Sequence, residues 1–292
     1  MRVLEPHPGI IAYYDGRIVG YKFMEGPNWV DDGALSLGIA SYAVVSDNEA
    51  IVYDPHVSVP HAKFIRDDLT ARGVSKFTMV LSHWHLDHIA GTEAFADCEI
   101  IANAKTLDHM QARKEAIESG THHGLPAINP LILPTRIFSE RMNLMVGKTK
   151  CELIEFNIHS DDGTVLWLPS GGILLAGDTL EDTVTYVAEP QNFDTHLVEL
   201  DRVWSLNPEF ILPNHGGPDI IAAGGYDKGM IRATQQYIRM LKRSLTDPEL
   251  REKTLRELIA GPLERGWIHY FEPYESVHRD NLALVLKRLS HG

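Results

Sequence analysis

The chain has 292 residues, of which 44% are hydrophobic and 23% are charged. This length and composition are ordinary for a soluble globular protein, and they allow a core that needs neither disulfides nor structural metals to fold. Acidic residues outnumber basic ones by 40 to 27, which gives a formal net charge of −13. Such a surface repels phosphate groups, so the composition argues against nucleic acid and anionic membranes as partners.

The cysteines and the N-terminal segment indicate the compartment. Cys98 and Cys151 lie in no CxxC motif, and we interpret both as buried free thiols. Such a sparse cysteine content is typical of a reducing compartment. The sequence shows no basic start followed by an apolar stretch, and no apolar run approaches the roughly 18 residues that span a bilayer. We therefore expect a cytoplasmic protein.

The first part of the chain alternates predicted strands with predicted helices. Segments rich in Ile, Val and Tyr and bounded by Gly, Asp or Asn predict strands at 10–15, 18–23, 37–46, 50–54, 76–82 and 98–103. Periodic apolar residues predict helices over 60–73 and 105–120. The near-continuous apolar character of 76–82 predicts a strand that is buried on both faces.

A long loop is predicted over residues 121–135, which contain three prolines and two adjacent histidines. Its apolar stretch LPAINPLIL must cover something, because a loop of this kind does not sit free in water. We expect the loop either to pack on the outer face of a sheet or to roof the functional site, and we favour the roof.

Strands resume after this loop. They are predicted at 142–146, 151–158, 164–169, 172–178 and 209–214, with a helix over 194–206. The portion from about 226 to 292 is predicted to be mostly helical, with an apolar stripe formed by Ile231, Tyr237, Ile238, Leu241 and Leu245. The pattern favours a single α/β domain over 1–292, in which two sheets pack together with helices outside.

The stretch LSHWHLDH, residues 81–88, lies at the end of a predicted strand. In an extended segment His83 and His85 point to the same side and can bind one metal ion together. Asp87 and His88 follow where the strand gives way to a turn, and they point to a neighbouring position. Two adjacent metal ions fit this spacing better than one, and imidazole with carboxylate suits Zn, Mn, Fe or Co.

Other readings of the cluster are less favourable. A closed structural zinc site usually includes cysteine, which is absent from this stretch. If the histidines were buried against the backbone without a metal, many polar groups would be removed from water, which costs considerable free energy. Further ligand candidates are His159, Asp178 and His215, since each follows an apolar strand and has small residues nearby.

The order HxHxDH, a distant histidine before a turn, GDT and NHG resembles the metallo-β-lactamase fold superfamily over roughly residues 35–220. The resemblance implies an αβ/βα four-layer sandwich of two mixed β-sheets, with helices on the outer faces and the site at one edge. It implies that one metal is held by His83, His85 and His159. It implies that a second metal is held by Asp87, His88 and His215, with Asp178 bridging both. Asp54, in IVYDP, resembles the family residue that supports the metal loops, although Pro55 and His56 stand where the family has small residues.

The branch of the family follows from Asp178, because true zinc β-lactamases resembling this pattern carry Cys or Ser there. An Asp resembles the dinuclear lactonases and thioester hydrolases, which implies two divalent ions, most often zinc. The expected reaction is cleavage of a lactone or ester bond in a small molecule by a bridging hydroxide. Asp87 and Asp178 are the predicted catalytic residues. The alternatives are thioester or β-lactam hydrolysis, and an iron-dependent oxidoreductase of the persulfide dioxygenase type.

Substrate contacts are predicted at three residues. Trp84 lies between ligand candidates and either faces the opening or packs beneath it. Tyr186 either donates a hydrogen bond to a carbonyl oxygen or is a half-buried tyrosine without a role. His123 lies in the Pro-rich loop, where residues often serve binding. The expected partner is a small-molecule substrate, and a homodimer is compatible with the sequence.

Overall fold

Within residues 1–289, which the computed structural model describes, the strands form two mixed β-sheets. The strands of the first sheet are hydrogen-bonded in chain order: β1 (Arg2–His7), β2 (Ile10–Asp15), β3 (Ile39–Ser46), β4 (Glu49–Tyr53), β5 (Lys76–Val80), β6 (Glu99–Asn103) and β7 (Arg136–Phe138). Strands β1 to β4 pair antiparallel, and β4 to β7 pair parallel. The parallel half thus places the ends of β4 and β5 at one edge of the sheet.

The second sheet has the order β12-β11-β10-β9-β8. Its strands are β8 (Arg141–Val146), β9 (Thr149–Glu155), β10 (Thr164–Leu168), β11 (Ile173–Gly177) and β12 (Phe210–Pro213). Strands β11 and β12 pair parallel and the other neighbours pair antiparallel. The C-terminal ends of β11 and β12 therefore lie side by side.

The helices follow local signals in the sequence. Their bounds are α1 (Val59–Ala71), α2 (Leu86–Ile89), α3 (Ala104–Glu118), α4 (Phe193–Ser205), α5 (Pro218–Ala222), α6 (Gly229–Arg243), α7 (Leu255–Leu258), α8 (Ala260–Glu264) and α9 (Tyr274–Leu289). Ser58 caps α1 by accepting a hydrogen bond from the backbone N–H of His61 at 3.4 Å, and Pro60 lies in the first turn. An irregular helical turn covers Val30–Leu35.

Three apolar layers hold the elements together. The layer between the two sheets contains Tyr42 and Leu166, while Ile65 and other residues of α1 and α3 cover the outer face of the first sheet. Helices α4, α6 and α9 cover the second sheet with residues such as Leu200 and Ile238. This arrangement confirms the predicted αβ/βα four-layer sandwich. None of the helices in residues 1–289 is long and apolar enough to cross a membrane.

The strand predicted over 18–23 is wrong. Gly16 and Gly20 adopt positive φ angles of 97° and 75°, which turn the chain out of the sheet after β2. Ile18 and Val19 are consequently exposed, at 53% and 103% of full accessibility. The pattern missed β1, which contains a proline, and the three-residue β7. The predicted strand 76–82 ends at Val80, and its first residues are exposed or half-buried rather than covered on both faces.

The predicted loop over 121–135 is a loop, but the favoured prediction that its apolar stretch roofs the site is wrong. Ile128 and Leu131 are buried in the apolar layer of α1 and α3, so the apolar stretch packs against the outer face of the first sheet. His122 and His123, at its start, instead line a large cleft. The predicted helical portion contains α6 to α9 as far as residue 289, and its residues 290–292 lie outside the described part of the chain.

Candidate metal centre

The predicted ligands come together where strands from both sheets end. His83 follows β5, Asp178 follows β11, and His215 follows β12. His159 lies in the connection between β9 and β10 and adopts a positive φ of 66°. The short helix α2 supplies Asp87 and His88, and His85 immediately precedes it.

The ligand atoms form groups that match the predicted sets. His83 Nε2 and His159 Nε2 each lie 3.0 Å from His85 Nδ1. The atoms of His83, His85 and His159 all lie within 4.8 Å of one another, and the same holds for those of Asp87, His88 and His215. His215 Nε2 and His88 Nε2 lie 3.2 and 3.4 Å from Asp87 Oδ2. The fold thus brings together side chains that are up to 132 positions apart in the sequence.

Asp178 stands between the two groups. Its Oδ2 lies 3.1 Å from His88 Nε2 and 3.6 Å from His215 Nε2 on one side. On the other side it lies 3.8 Å from His83 Nε2 and 3.9 Å from His159 Nε2. The second oxygen, Oδ1, is buried and has no hydrogen-bond partner among the described residues. An unpartnered buried carboxylate oxygen among imidazole nitrogens fits a pair of divalent ions. The assignment of these seven residues as metal ligands stays a prediction.

Asp54 holds the segment of residues 82–88, here called the histidine loop, in place through hydrogen bonds. Its Oδ1 accepts a hydrogen bond from the Ser82 backbone N–H at 2.6 Å. Its Oδ2 accepts from Ser82 Oγ at 2.6 Å, from Asn214 Nδ2 at 2.6 Å and from His88 Nδ1 at 2.9 Å. Because the Ser82 hydroxyl donates to Asp54, it accepts from His83 Nδ1 at 2.9 Å. Both histidines are thereby held with the Nε2 lone pair facing the centre.

Backbone carbonyls hold two other histidines in the same tautomer. His159 Nδ1 donates to the Tyr186 carbonyl at 3.0 Å, and His215 Nδ1 donates to the Gly38 carbonyl at 2.8 Å. A carbonyl oxygen only accepts, so the proton resides on Nδ1 in both rings. In their neutral form all four imidazoles therefore carry the proton on Nδ1 and direct the Nε2 lone pair to one small volume, which is the state that a metal ion requires.

The pKa values of the histidines show which of them are charged when no metal is bound. Burial and the neighbouring histidines lower the pKa of His83 and His85 well below the ordinary value. Burial opposes the charged form of His215, but the carboxylates of Asp178 and Asp87 together outweigh it and raise the pKa to about 9. The pKa of His88 is raised well above its ordinary value against the same effect of burial. Protons on His88 and His215 thus balance the buried carboxylates, and bound metal ions would displace these protons.

The centre lies at the bottom of a cleft of about 720 Å³. Three segments form its walls: residues 27–37, residues 122–124 and the cleft-facing side of α9. The structure places all three predicted substrate contacts on this cleft, namely Trp84, Tyr186 and His123. Whether they contact a substrate stays a prediction.

Two buried acidic residues that contact the site were not predicted from the sequence. Glu181, only 2% exposed, accepts from the Tyr186 N–H at 2.8 Å and lies 3.5 Å from His159 Nδ1. Asp162 accepts from the Trp84 N–H at 3.0 Å and from Thr106 Oγ1 at 2.8 Å, which ties the histidine loop to α3. The only signals for them were extra carboxylates in GDTLED and SDDG, which are equally compatible with exposed turns.

Comparison with known proteins agrees with this geometry. Residues 36–148 match the family model of the metallo-β-lactamase superfamily. Over these residues the chain resembles the metallo-β-lactamase superfamily. A metallo-β-lactamase from Pontibacter korlensis superimposes with a TM-score of 0.57 at 15% identity, covering 79% of this chain and 98% of that one. This likeness shows that the metallo-β-lactamase fold is shared.

Two curated relatives are similar in sequence to this chain. A hydroxyacylglutathione hydrolase of Rhodobacter capsulatus is 27% identical over 157 residues, which is 52% of this chain. A beta-lactamase-like protein 2 homolog of Caenorhabditis elegans is 26% identical over 223 residues, which is 72% of this chain. The chain spans 53% and 64% of the length of these relatives.

Proposed function

We propose that this protein is a dinuclear metal-dependent hydrolase that cleaves a lactone or ester bond of a small uncharged molecule. The observation that carries the proposal is the position of Asp178. Its Oδ2 lies 3.1 to 3.9 Å from histidine nitrogens of both ligand groups, as a residue bridging two ions must. A site for a single ion would not need a carboxylate placed in this way.

The donor set suits zinc, with manganese, iron or cobalt as other possible occupants, because it combines imidazole with carboxylate and lacks thiolate. Two such ions would lower the pKa of a water between them and polarise the carbonyl of the substrate. Asp87 is part of this set and also lines the cleft. Its carboxylate is therefore placed to orient the attacking water and to pass a proton to the leaving oxygen.

The charges of the cleft favour an uncharged substrate. Within the described part of the chain, Arg288 is the one arginine or lysine that lines it. Its guanidinium lies 3.4 Å from both the Ala188 carbonyl and the Gln191 side chain, so it has partners of its own. Asp32 and Asp280 also line the cleft. Apart from the proposed metal ions themselves, an anionic substrate would meet these carboxylates without a dedicated cation. The remaining walls are largely apolar, with Trp29, Leu37, Leu86, Val277 and Leu284.

Thioester hydrolysis is the second candidate. The similarity to a hydroxyacylglutathione hydrolase favours it. A glutathione thioester carries carboxylates, however, which the charges of the cleft disfavour. An iron-dependent oxidoreductase would be distinguished by its metal content, since it would hold one iron per chain.

A hydrolysis screen tests the proposal. Metal-loaded protein is assayed against uncharged lactones and esters, thioesters, β-lactams and phosphodiesters, with metal content measured on the same preparation. We expect about two ions per chain and the highest kcat/KM on a lactone or ester. The control is the Asp178→Asn variant, which should be inactive on every substrate. Full activity in that variant, or one iron per chain with oxygen consumption, would overturn the proposal.

A further inference from the structure

The segment of residues 181–187, here called the strap, passes behind the metal ligand candidate His159. The Tyr186 carbonyl in the strap accepts the hydrogen bond from His159 Nδ1 at 3.0 Å. The orientation of the imidazole, and hence the direction of its Nε2, depends on this carbonyl and on Glu181 of the same strap, whose carboxylate lies 3.5 Å from the same nitrogen. What holds the strap therefore also holds the ligand.

The strap is neither helix nor strand, so no backbone ladder fixes it. Hydrogen bonds to other elements hold it instead: Thr183 Oγ1 donates to the His269 carbonyl at 2.7 Å near its start, and Asn281, a buried residue of α9, binds its end.

Asn281 Nδ2 donates to the Thr185 carbonyl at 2.9 Å, and its Oδ1 accepts from the Val187 N–H at 2.8 Å. The two bonds flank Tyr186 on either side. From within the strap, Glu181 accepts from the Tyr186 N–H at 2.8 Å.

Only an amide satisfies both contacts of Asn281. The Thr185 carbonyl requires a donor and the Val187 N–H requires an acceptor, so a carboxylate or an apolar side chain fails at one or both. The amide is itself held, because its second N–H donates to Tyr237 Oη at 3.1 Å. The Tyr237 hydroxyl in turn lies 3.0 Å from His278 Nδ1, which joins α6 and α9 behind the strap.

We infer that Asn281 is a positioning residue of the metal centre, which holds the Tyr186 carbonyl that orients His159. The inference rests on the proposed function, because it requires His159 to be a metal ligand. It makes α9 a functional part of the site, although this helix lies outside the matched residues 36–148. The same helix supplies Val277 and Leu284 to the wall of the cleft.

Cobalt(II) binding to the full-length, metal-free protein tests this role. Affinity is measured by competition with a chromophoric chelator, and the d–d absorption of bound cobalt reports the geometry of its ligands. Asn281→Ala should weaken cobalt binding by about tenfold, the lower end of the effect of losing an outer partner of a ligand, and should alter the absorption. Asn281→Asp is the milder variant, since it keeps the acceptor for Val187 but opposes the Thr185 carbonyl; it should change affinity in the same direction.

Asn103→Ala is the matched control. Asn103 is 1% exposed, accepts from the Lys105 N–H at 2.9 Å and donates to Glu155 at 2.8 Å, so the same truncation removes comparable bonds elsewhere. It should lower the Tm without changing cobalt affinity or absorption.

The outcomes separate this inference from the proposed function. Wild-type protein that binds no cobalt would overturn the metal assignment and the inference with it. Wild-type binding together with unchanged affinity and absorption in both Asn281 variants would overturn the inference alone. Equal weakening in Asn281→Ala and Asn103→Ala would reduce the effect to general destabilisation and would also overturn it.

Discussion

Replacement of Asp54 by Asn tests the role of this buried carboxylate in building the metal centre. Asp54 adopts a positive φ of 64°, which Asn tolerates, so the backbone need not move. The carboxylate accepts hydrogen bonds from two atoms of Ser82, from Asn214 and from His88. An amide in its place can keep the three acceptor contacts of Oδ2, but its NH₂ group then faces the Ser82 N–H.

The magnitude follows from these contacts. One buried donor left unsatisfied costs about 1–3 kcal/mol, and each of the three remaining bonds weakens by about 1 kcal/mol when its acceptor loses the charge. The lower desolvation of a neutral amide offsets part of this loss, so we expect the free energy of unfolding of metal-free protein to fall by about 3–5 kcal/mol. Metal affinity should fall by about 10- to 100-fold, because His83 and His88 lose the partner that orients them.

Urea unfolding of the metal-free protein measures the first effect, and zinc competition with a chelator measures the second. Asp194→Asn is the control, because Asp194 pairs with Lys242 at the surface and should change neither quantity appreciably. An unfolding free energy within about 1 kcal/mol of wild type, together with unchanged zinc affinity, would refute the role assigned to Asp54.

Three further predictions concern the ligands, pH and the Pro-rich loop. Asp178→Asn should abolish hydrolysis while leaving the far-UV circular dichroism near wild type, because the core of the chain does not depend on metal; retained turnover would contradict the bridging role. The pKa of His215 in the metal-free protein is raised to about 9 from an unfolded value of about 6.5, so its contribution to stability is fully present below pH 6.5 and is lost as the pH rises through 9. The Tm of metal-free protein should therefore fall between pH 6.5 and 9, and a Tm that rises over this range would argue against the charged pair with Asp178. Leu131→Ala should lower the free energy of unfolding by about 2–4 kcal/mol in urea without changing KM, whereas His123→Ala, at the cleft, should raise KM with little effect on stability. Equal effects of both variants on KM would indicate that the apolar stretch of the loop also covers the substrate site.

The sequence by itself determined the fold class and the ligand candidates. Strand and helix periods are local properties, and most predicted elements lie within a few residues of their observed bounds, as α1 and β2 illustrate. The relative positions of the ligand candidates from His83 to His88 follow from local backbone conformation, because these residues are neighbours in the chain. His159, Asp178 and His215 were recognisable because each ends a strand, and strand ends converge at one edge of a sheet sandwich.

Apart from Asp54, which the resemblance already indicated, tertiary structure alone decided which residues support those ligands. The failed strand at 18–23 has a suitable composition, but no neighbouring strand receives it after the chain turns out of the sheet at Gly16. Glu181 and Asn281 act through contacts with partners that lie far away in the sequence or on another element, and a buried polar side chain of this kind is identified only by those contacts. Local patterns report how a segment folds, whereas the partners of a buried hydrogen-bonding group depend on which segments meet, and that information exists only once the chain is packed.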